Sequence, residues 1–336
     1  MAEWVVEAGI GEDRAALIAG DTIVAARVCW RERWRAGAVA PARLDHRHRG
    51  TRRGAVVLPD GTIAQIDALP ADVADGATLT VRITRAALAE RGRFKLAQCR
   101  PSDAAPRPAP SLAEALLAET LLAQTGLPVR MAGLFDRSLD AAGWDDLGEQ
   151  TASGVIDFPG GRLTVSPTPA MTLIDIDGPP PLLPLALAAV PAIAATLARL
   201  DIGGSVGIDF PGLEARADRR AVDQALDQAL AQTGWRGERT AMNGFGLVQV
   251  ISRLERPSLV ARLAFAPARA AALTLLRQAG RVEQPGALLL VAHPAVLAQI
   301  DAAMENELAG RTGRAIRREA RATLALHAGF AQAIAP

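Results

Sequence analysis

Two short apolar stretches, MTLIDID at residues 171–177 and SVGIDF at residues 205–210, decide how this chain folds. Each predicts a buried strand that ends in a carboxylate, and the apolar sequence over about 187–200 between them predicts a helix. A strand, helix, strand connection is right-handed and returns the second strand parallel to the first. Because parallel strands end at one edge of a sheet, we expect Asp175 and Asp209 to lie close together there.

These strand ends offer oxygen ligands for a metal ion. Asp177 follows Asp175 by two residues, so the two side chains share one face of the strand. Two or three carboxylates at such an edge suit magnesium, which keeps several waters and meets phosphate oxygens. Aspartates at strand ends also cap turns and helices, and this alternative remains open on the residues alone.

The composition of the 336 residues is that of a folded protein with more than one domain. The chain has 37 Lys+Arg against 36 Asp+Glu and is 50% apolar, which excludes an intrinsically disordered chain. Cys29 and Cys99 stand alone without a CxxC pair, which excludes a cysteine zinc site and fits a reducing compartment. We therefore expect a cytoplasmic protein without zinc.

Neither a targeting segment nor a membrane span is expected. The first residues, MAEWVVEAGIGEDR, carry acids where a secretory signal carries Lys or Arg. The longest apolar stretch, residues 182–198, contains Pro184 and Pro191 and falls short of the ~20 residues that a membrane helix needs.

A basic and aromatic segment lies near the N-terminus. Residues 27–53 contain nine arginines against Glu32 and Asp45, with Trp30 and Trp34 among them. Guanidinium groups bind phosphate oxygens and flat rings stack on unpaired bases, so this segment favours single-stranded nucleic acid. The candidate RNA-binding residues here are Trp30, Trp34, Arg47, Arg49, Arg52 and Arg53. A solvated basic loop is the open alternative.

Outward from the central strands, the sequence divides into six segments. Residues 3–9 and 14–19 predict a hairpin, and residues 22–99 alternate β-rich runs with Gly, Pro and Asp turns, as in an OB-type barrel. Four prolines in 100–111 predict a linker, after which Ser111 caps a helix. The expected organisation is first strands at 1–21, barrel at 22–99, linker at 100–111, the rest of the first subdomain at 112–168, a catalytic subdomain at 169–262 and a small α/β domain at 263–336.

Three stretches resemble the catalytic region of the ribonuclease E/G family. DFPGGRLTVSPTPAMTLIDID (157–177) is similar to the family's Pro-x-Gly-Gly hairpin and its strand carrying Asp-x-Asn-Ser. LARLDIGGSVGIDFPGLE (197–214) resembles its Arg-Leu-x-x-Ile-Gly-Gly-apolar-Ile-Asp-Phe motif, and FGLVQVISRLERPSL (245–259) is similar to its Leu-Gly-Leu-Val-Glu segment. The order and approximate spacing agree over about residues 150–262.

This resemblance implies a magnesium-dependent endoribonuclease that cleaves single-stranded RNA and leaves a 5′-phosphate, with manganese as a substitute metal. Asp175 and Asp209 stand at the positions of the two metal-binding aspartates, and Asp177, where the family has Asn, adds a third metal-ligand candidate. Phe94 and Lys95 lie close to a family lysine that contacts RNA. The implied fold is an RNase H-like and deoxyribonuclease I-like core, of mixed α+β and α/β type, with an inserted OB-type barrel and a small C-terminal α/β domain.

Several departures from the family pattern limit this expectation. Ala266-Pro267-Ala268-Arg269 falls near the family's zinc link without its cysteines, so we expect a monomer or a metal-free homodimer. About fifty residues separate the barrel from the catalytic hairpin, too few for the family's 5′-monophosphate sensor. Gln249 replaces a family Glu. The alternatives are therefore an RNA-binding protein with decayed nuclease activity, and a scaffold protein of an RNA-processing complex.

Overall fold

A computed structural model describes residues 2–133 and 136–335. Met1, Leu134, Phe135 and Pro336, which fall inside predicted domain ranges, lie outside the described residues. The strands, in chain order, are β1 Ala2–Ala8, β2 Glu12–Ala19, β3 Thr22–Trp30, β4 Val39–Arg47, β5 Arg53–Val57, β6 Ile63–Asp67, β7 Thr78–Arg85, β8 Leu88–Glu90, β9 Arg93–Lys95, β10 Ala97–Pro101, β11 Val129–Met131, β12 Val155–Phe158, β13 Gly161–Pro167, β14 Thr172–Asp177, β15 Ser205–Asp209, β16 Gly237–Arg239, β17 Leu247–Ser252, β18 Ala287–Ala292, β19 Ile316–Ala320 and β20 Phe330–Ile334. The α-helices are α1 Leu112–Leu122, α2 Ser138–Ala141, α3 Trp144–Ser153, α4 Leu182–Arg199, α5 Arg216–Gln232, α6 Leu259–Phe265, α7 Pro267–Ala279, α8 Pro294–Leu297 and α9 Ala302–Thr312.

The first sheet has the strand order β11-β1-β2-β3. The predicted N-terminal hairpin is present, with Trp4 opposite Leu17, and β11 joins β1 in parallel. Assigning β3 to the barrel was wrong, because its residues pair along β2 from Thr22 to Trp30. Helix α1 packs on this sheet and begins with the predicted capping box, in which Ser111 and Glu114 each accept a hydrogen bond from the other's backbone N–H.

A closed barrel of five strands is inserted between β3 and α1. Its order around the barrel is β4-β5-β6-β10-β7, with β6 and β10 parallel and the other neighbours antiparallel. Numbered within the barrel, this is order 1-2-3-5-4, which is compatible with an OB-like barrel. The barrel therefore spans 39–101 rather than 22–99. The predicted linker runs along it, since Arg107 forms a bridge with Val39.

The central sheet contains the two strands that opened the sequence analysis. Its order is β12-β13-β14-β15-β17-β16, and β14 and β15 are parallel, as predicted. The hairpin β12–β13 pairs with β14, so it belongs to this sheet and not to the 112–168 subdomain to which it was assigned. The tight turn at Gly160, which has φ +94°, returns β13 antiparallel to β12, and β13 then pairs along β14.

Helix α4 makes the crossover between β14 and β15. It begins at Leu182 rather than near 187, because Pro184 falls in the first turn, where backbone N–H groups have no partner within the helix. By length and composition α4 could cross a membrane, and the bent pair α6–α7 passes the same test. Core helices also pass it, and α4 packs against β3, β13, β14 and α5, so its apolar residues serve the core.

One hydrophobic core joins most of the molecule. It includes Ile23 of the first sheet, Ile174 and Ile208 of the central sheet, and Leu276 and Leu288 of the C-terminal unit. That unit is the small α/β arrangement expected, with sheet order β19-β18-β20, but the predicted helix 294–309 is split into α8 and α9. The barrel has a separate core.

Candidate functional site

Asp175 and Asp209 are direct neighbours at one edge of the central sheet. They are Cα partners in the parallel pairing of β14 and β15, so their side chains project from the same face, about 4.8 Å apart between strands. Both residues are exposed, while Ile174 and Ile208 on the opposite face are buried. The Asp175 carboxylate accepts a hydrogen bond from the Ile176 backbone N–H at 3.0 Å, which orients it.

Asp177 shares this face but lies further out. Strand β15 ends at Asp209, opposite Asp175. Asp177 lies two residues, about 6.6 Å, beyond Asp175 along β14, so it has no neighbour on β15. Its cross-strand neighbour is Arg162, whose guanidinium binds Asp157. Among residues 2–133 and 136–335, no group of three His, Cys, Asp or Glu side chains is placed to hold a metal. The geometry therefore joins two carboxylates, and a ligand set of three is not formed.

The face that carries these carboxylates is open and partly apolar. Leu173 lies two residues before Asp175, and Leu247 of β17 is the Cα partner of Asp209. Both leucines are exposed. Gly207 lies between them and has no side chain, so the surface is recessed there. Gln249, which replaces a family Glu, is the partner of Gly207 and therefore lies on this face. Apolar surface beside two carboxylates offers contacts to the flat face of a base, and the carboxylate oxygens offer ligands to a cation.

The most exposed aromatic ring described in the structure stands next to this edge, and sequence analysis did not identify it. Phe245 is 89% exposed at the tip of the turn that leads into β17. Asn243 fixes the turn because its side-chain oxygen accepts hydrogen bonds from the N–H groups of Phe245, at 2.8 Å, and Leu247, at 3.1 Å. The sequence MNGFG, an aromatic residue within a turn of Asn and Gly, was the available indication.

This turn is locked onto the end of β15. The Phe210 N–H, directly after Asp209, donates to the Gly246 carbonyl at 3.2 Å. Gly246 has φ +91°, and a Cβ there would lie 2.6 Å from the Phe210 carbonyl oxygen. Only glycine fits this position without strain. The arrangement therefore places Phe245 beside Asp209 through backbone contacts.

The barrel holds most of the predicted arginines in its own structure. The Arg47 guanidinium donates to the carbonyls of Pro70 and Val73, and Arg53 pairs with Asp67 at 3.0 Å. Arg52 is exposed but reaches the Leu69 carbonyl at 3.4 Å. Arg49 is exposed and has no ion pair in the described part of the chain. Arg49 and Arg52 lie in the loop between the first two barrel strands, one of the binding loops of OB barrels.

Phe94 and Lys95 lie in the other binding loop of such barrels, between the fourth and fifth strands. This loop folds into the hairpin β8–β9, with Phe94 76% exposed. Lys95 binds Glu90 at 2.9 Å, and this hydrogen bond, opposed by burial, holds the pKa of Glu90 below its usual value. The ring is thus free to contact a base, while the ammonium group is already paired.

The two tryptophans of the basic segment are far less available. Trp30 is 8% exposed in the shared core, where Arg262 lies over its ring at 4.6 Å, so its assignment as a base-stacking residue was wrong. Trp34 is half-buried against the barrel core, and its indole N–H donates to Asp60 at 2.8 Å. Of the candidate residues on the barrel, Arg49, Arg52, Arg53 and Phe94 are exposed, and Arg53 is already paired with Asp67.

Comparison with known proteins agrees with the motifs of the central sheet. Residues 152–254 match the model of the Ribonuclease E/G family, a range that contains β12 to β17 and both Asp175 and Asp209. No curated protein matches the chain. The resemblance seen in the sequence is therefore confirmed for the part of the chain that carries the carboxylates.

Proposed function

We propose that this protein is a metal-dependent endoribonuclease that cleaves single-stranded RNA. The observation that carries the proposal is the register pairing of Asp175 with Asp209 at an exposed sheet edge, within the range that matches the Ribonuclease E/G family. The family match suggests a ribonuclease-related function, and the paired carboxylates supply its chemistry. On this proposal the central sheet is the deoxyribonuclease I-like part of the core and the first sheet is the RNase H-like part.

The carboxylate pair fits a magnesium ion. Neither Asp175 nor Asp209 forms an ion pair with a base among the described residues, so both charges are free for a cation. Two neighbouring carboxylates leave the remaining positions for waters and a phosphate oxygen, as this metal prefers. A bound metal supplies a Lewis acid that lowers the pKa of water and neutralises phosphodiester charge. Manganese would bind the same oxygen ligands.

The protein's own side chains position the RNA around this edge. Phe245 stacks on one base, and Leu173 and Leu247 form apolar contacts to another. The barrel binds the strand further away through Arg49 and Arg52 on phosphates and Phe94 on a base. In the reaction a water oxygen bonds to phosphorus as the bond to the 3′ oxygen breaks, which leaves a 5′-phosphate and a 3′-hydroxyl.

Cleavage of a labelled single-stranded oligonucleotide, with magnesium and with a chelator, tests this function. We expect cleavage that requires the metal, and no cleavage by Asp175→Asn or Asp209→Asn. Asp157→Asn is a matched control, because Asp157 lies on the adjoining hairpin and, among the described residues, forms an ion pair with Arg162 alone. If the folded parent protein leaves the oligonucleotide uncut in both magnesium and manganese, the proposed nuclease activity is refuted.

A second candidate function is RNA binding without cleavage. It is favoured by Gln249, which removes a carboxylate from the open face beside Gly207. An inactive parent that binds RNA, with a strong dependence on salt, would establish this alternative.

A further inference from the structure

A cavity lies away from the carboxylate edge, at the junction of three parts of the molecule. Its volume is about 350 Å³. One wall is the segment from Cys29 to Gly37, which connects the first sheet to the barrel, and another is barrel strand β7. The start of α1 and residues 253–257 complete it.

The charge of this cavity is strongly positive. It is lined by five arginines, Arg35, Arg82, Arg253, Arg256 and Arg262, against two carboxylates, Glu32 and Glu255. Two of the arginines are neutralised, since Arg253 pairs with Glu255 at 3.1 Å and Arg256 pairs with Asp201 at 2.6 Å. Within the described residues, Arg35, Arg82 and Arg262 have no carboxylate within 4.0 Å. Three cations therefore face one unpaired carboxylate, that of Glu32.

Arg262 is the cation whose burial needs an explanation. It is 7% exposed, its Nη2 donates to the Val28 carbonyl at 2.8 Å, and its Nε is buried without a hydrogen-bond partner. Burial lowers the pKa of this guanidinium, against the opposing charges of Asp201, Glu32 and Glu12. Arg35 has a similar deficit: its Nε is buried without a partner, and its Nη1 contacts the Cys29 sulfur at 2.6 Å. A buried cation with no carboxylate in direct contact is destabilising, and an anion in the cavity would supply the acceptor that these guanidinium groups lack.

We propose that this cavity binds a phosphate group between Arg35, Arg82 and Arg262. Guanidinium groups donate paired hydrogen bonds to phosphate oxygens, and partly buried sites strengthen such contacts. Arg82, which is exposed on β7, closes the site from the barrel side. The site is distinct from the carboxylate edge, because β17 runs from Leu247, opposite Asp209, to Ser252, and Arg253 follows at the far end, about 20 Å away. It is independent of the proposed nuclease function.

Calorimetric titration of the full chain with orthophosphate and with adenosine 5′-monophosphate tests this site. We expect both to bind to the parent, and Arg82→Ala to weaken binding by about tenfold or more, since it removes a charge-assisted contact. Arg220→Ala is the matched control, because Arg220 is exposed on α5, outside the cavity, and should bind like the parent. Glu32→Gln should bind phosphate more tightly than the parent, because it removes the negative charge that faces the three arginines. If these arginines only stabilised the fold, this substitution would not raise the affinity for phosphate.

Two RNA arms identify the source of the phosphate. In an Asp209→Asn background, oligonucleotides with a 5′-phosphate and a 5′-hydroxyl are compared with and without Arg82→Ala. If Arg82→Ala also weakens binding of the 5′-phosphorylated oligonucleotide but not of the 5′-hydroxyl one, the ligand is an RNA end. If it weakens orthophosphate and the mononucleotide but neither oligonucleotide, the ligand is a small molecule. Absence of binding by both small anions, or equal affinities for the parent and Arg82→Ala, would overturn the proposal.

Discussion

Replacing Phe245 by alanine should weaken RNA binding and leave folding unchanged. The ring is 89% exposed, so its removal creates no cavity, and the free energy of unfolding should change by no more than about 0.5 kcal/mol. Stacking of one base on an aromatic side chain contributes about 1–3 kcal/mol, as measured by alanine substitution. If Phe245 stacks on a base beside Asp209, the affinity for single-stranded RNA should fall by about 5- to 150-fold.

The assay measures binding separately from cleavage. An oligonucleotide carrying one fluorescent base is titrated into Asp209→Asn, with and without Phe245→Ala, and unfolding in urea is followed for each variant. Phe245→Trp should bind RNA as tightly as the parent, unlike Phe245→Ala, because a larger ring stacks at least as well. Leu121→Ala is the control, since Leu121 is similarly exposed, at 76%, but lies on α1. An affinity of Phe245→Ala within twofold of the parent would refute the stacking role.

Three further predictions concern the carboxylates, the barrel and the core. Asp175→Asn and Asp209→Asn should abolish cleavage of single-stranded RNA with little loss of RNA binding, whereas Asp177→Asn, at a position outside the pair, should retain activity in the same gel assay. Arg49→Ala should lower the slope of log affinity against log salt by about 1, as expected for loss of one phosphate contact, and an unchanged slope would exclude Arg49 from the interface. Trp30→Ala should destabilise the fold by about 3–5 kcal/mol in urea unfolding, because Trp30 is a buried core residue; a loss of RNA affinity without a loss of stability would restore its original assignment.

The central strands could be predicted because local and global constraints agree there. Residues 172–177 alternate buried and exposed positions over a continuous strand, and a helical crossover leaves little freedom in where β15 lies. The register that places Asp175 opposite Asp209 is favoured by the burial of Ile174 and Ile208, since a slip of one residue would bring one of the two strands' buried side chains to the exposed face. The position of Asp177 was harder to predict, because it depends on the residue at which β15 ends. That strand ends at Asp209, so Asp177 has no partner on it.

The basic segment could not be divided correctly from sequence. The alternation in residues 22–30 predicts a strand equally well in a barrel or in a sheet, and only the pairing with β2 decides between them. The partners of its arginines are remote in the chain: Arg27 pairs with Asp201, and Arg31 with Glu307. Trp30 likewise meets Arg262, more than two hundred residues later. The composition of this segment therefore predicted a nucleic-acid-binding surface, although Arg27, Arg31 and Trp30 form contacts within the protein.

The separate core of the barrel gives a structural role to the cavity lined by arginines. The core that holds Ile174 and Ile208 also contains residues of the first sheet and the C-terminal unit, so the carboxylate edge is fixed by a large packed body. The barrel closes around its own core, and its strands pair only among themselves within the described residues. Units with separate cores move relative to each other unless the interface is large and apolar. A phosphate held by Arg82 of the barrel and Arg262 of the main body spans this junction, so its binding would fix the barrel relative to the carboxylate edge.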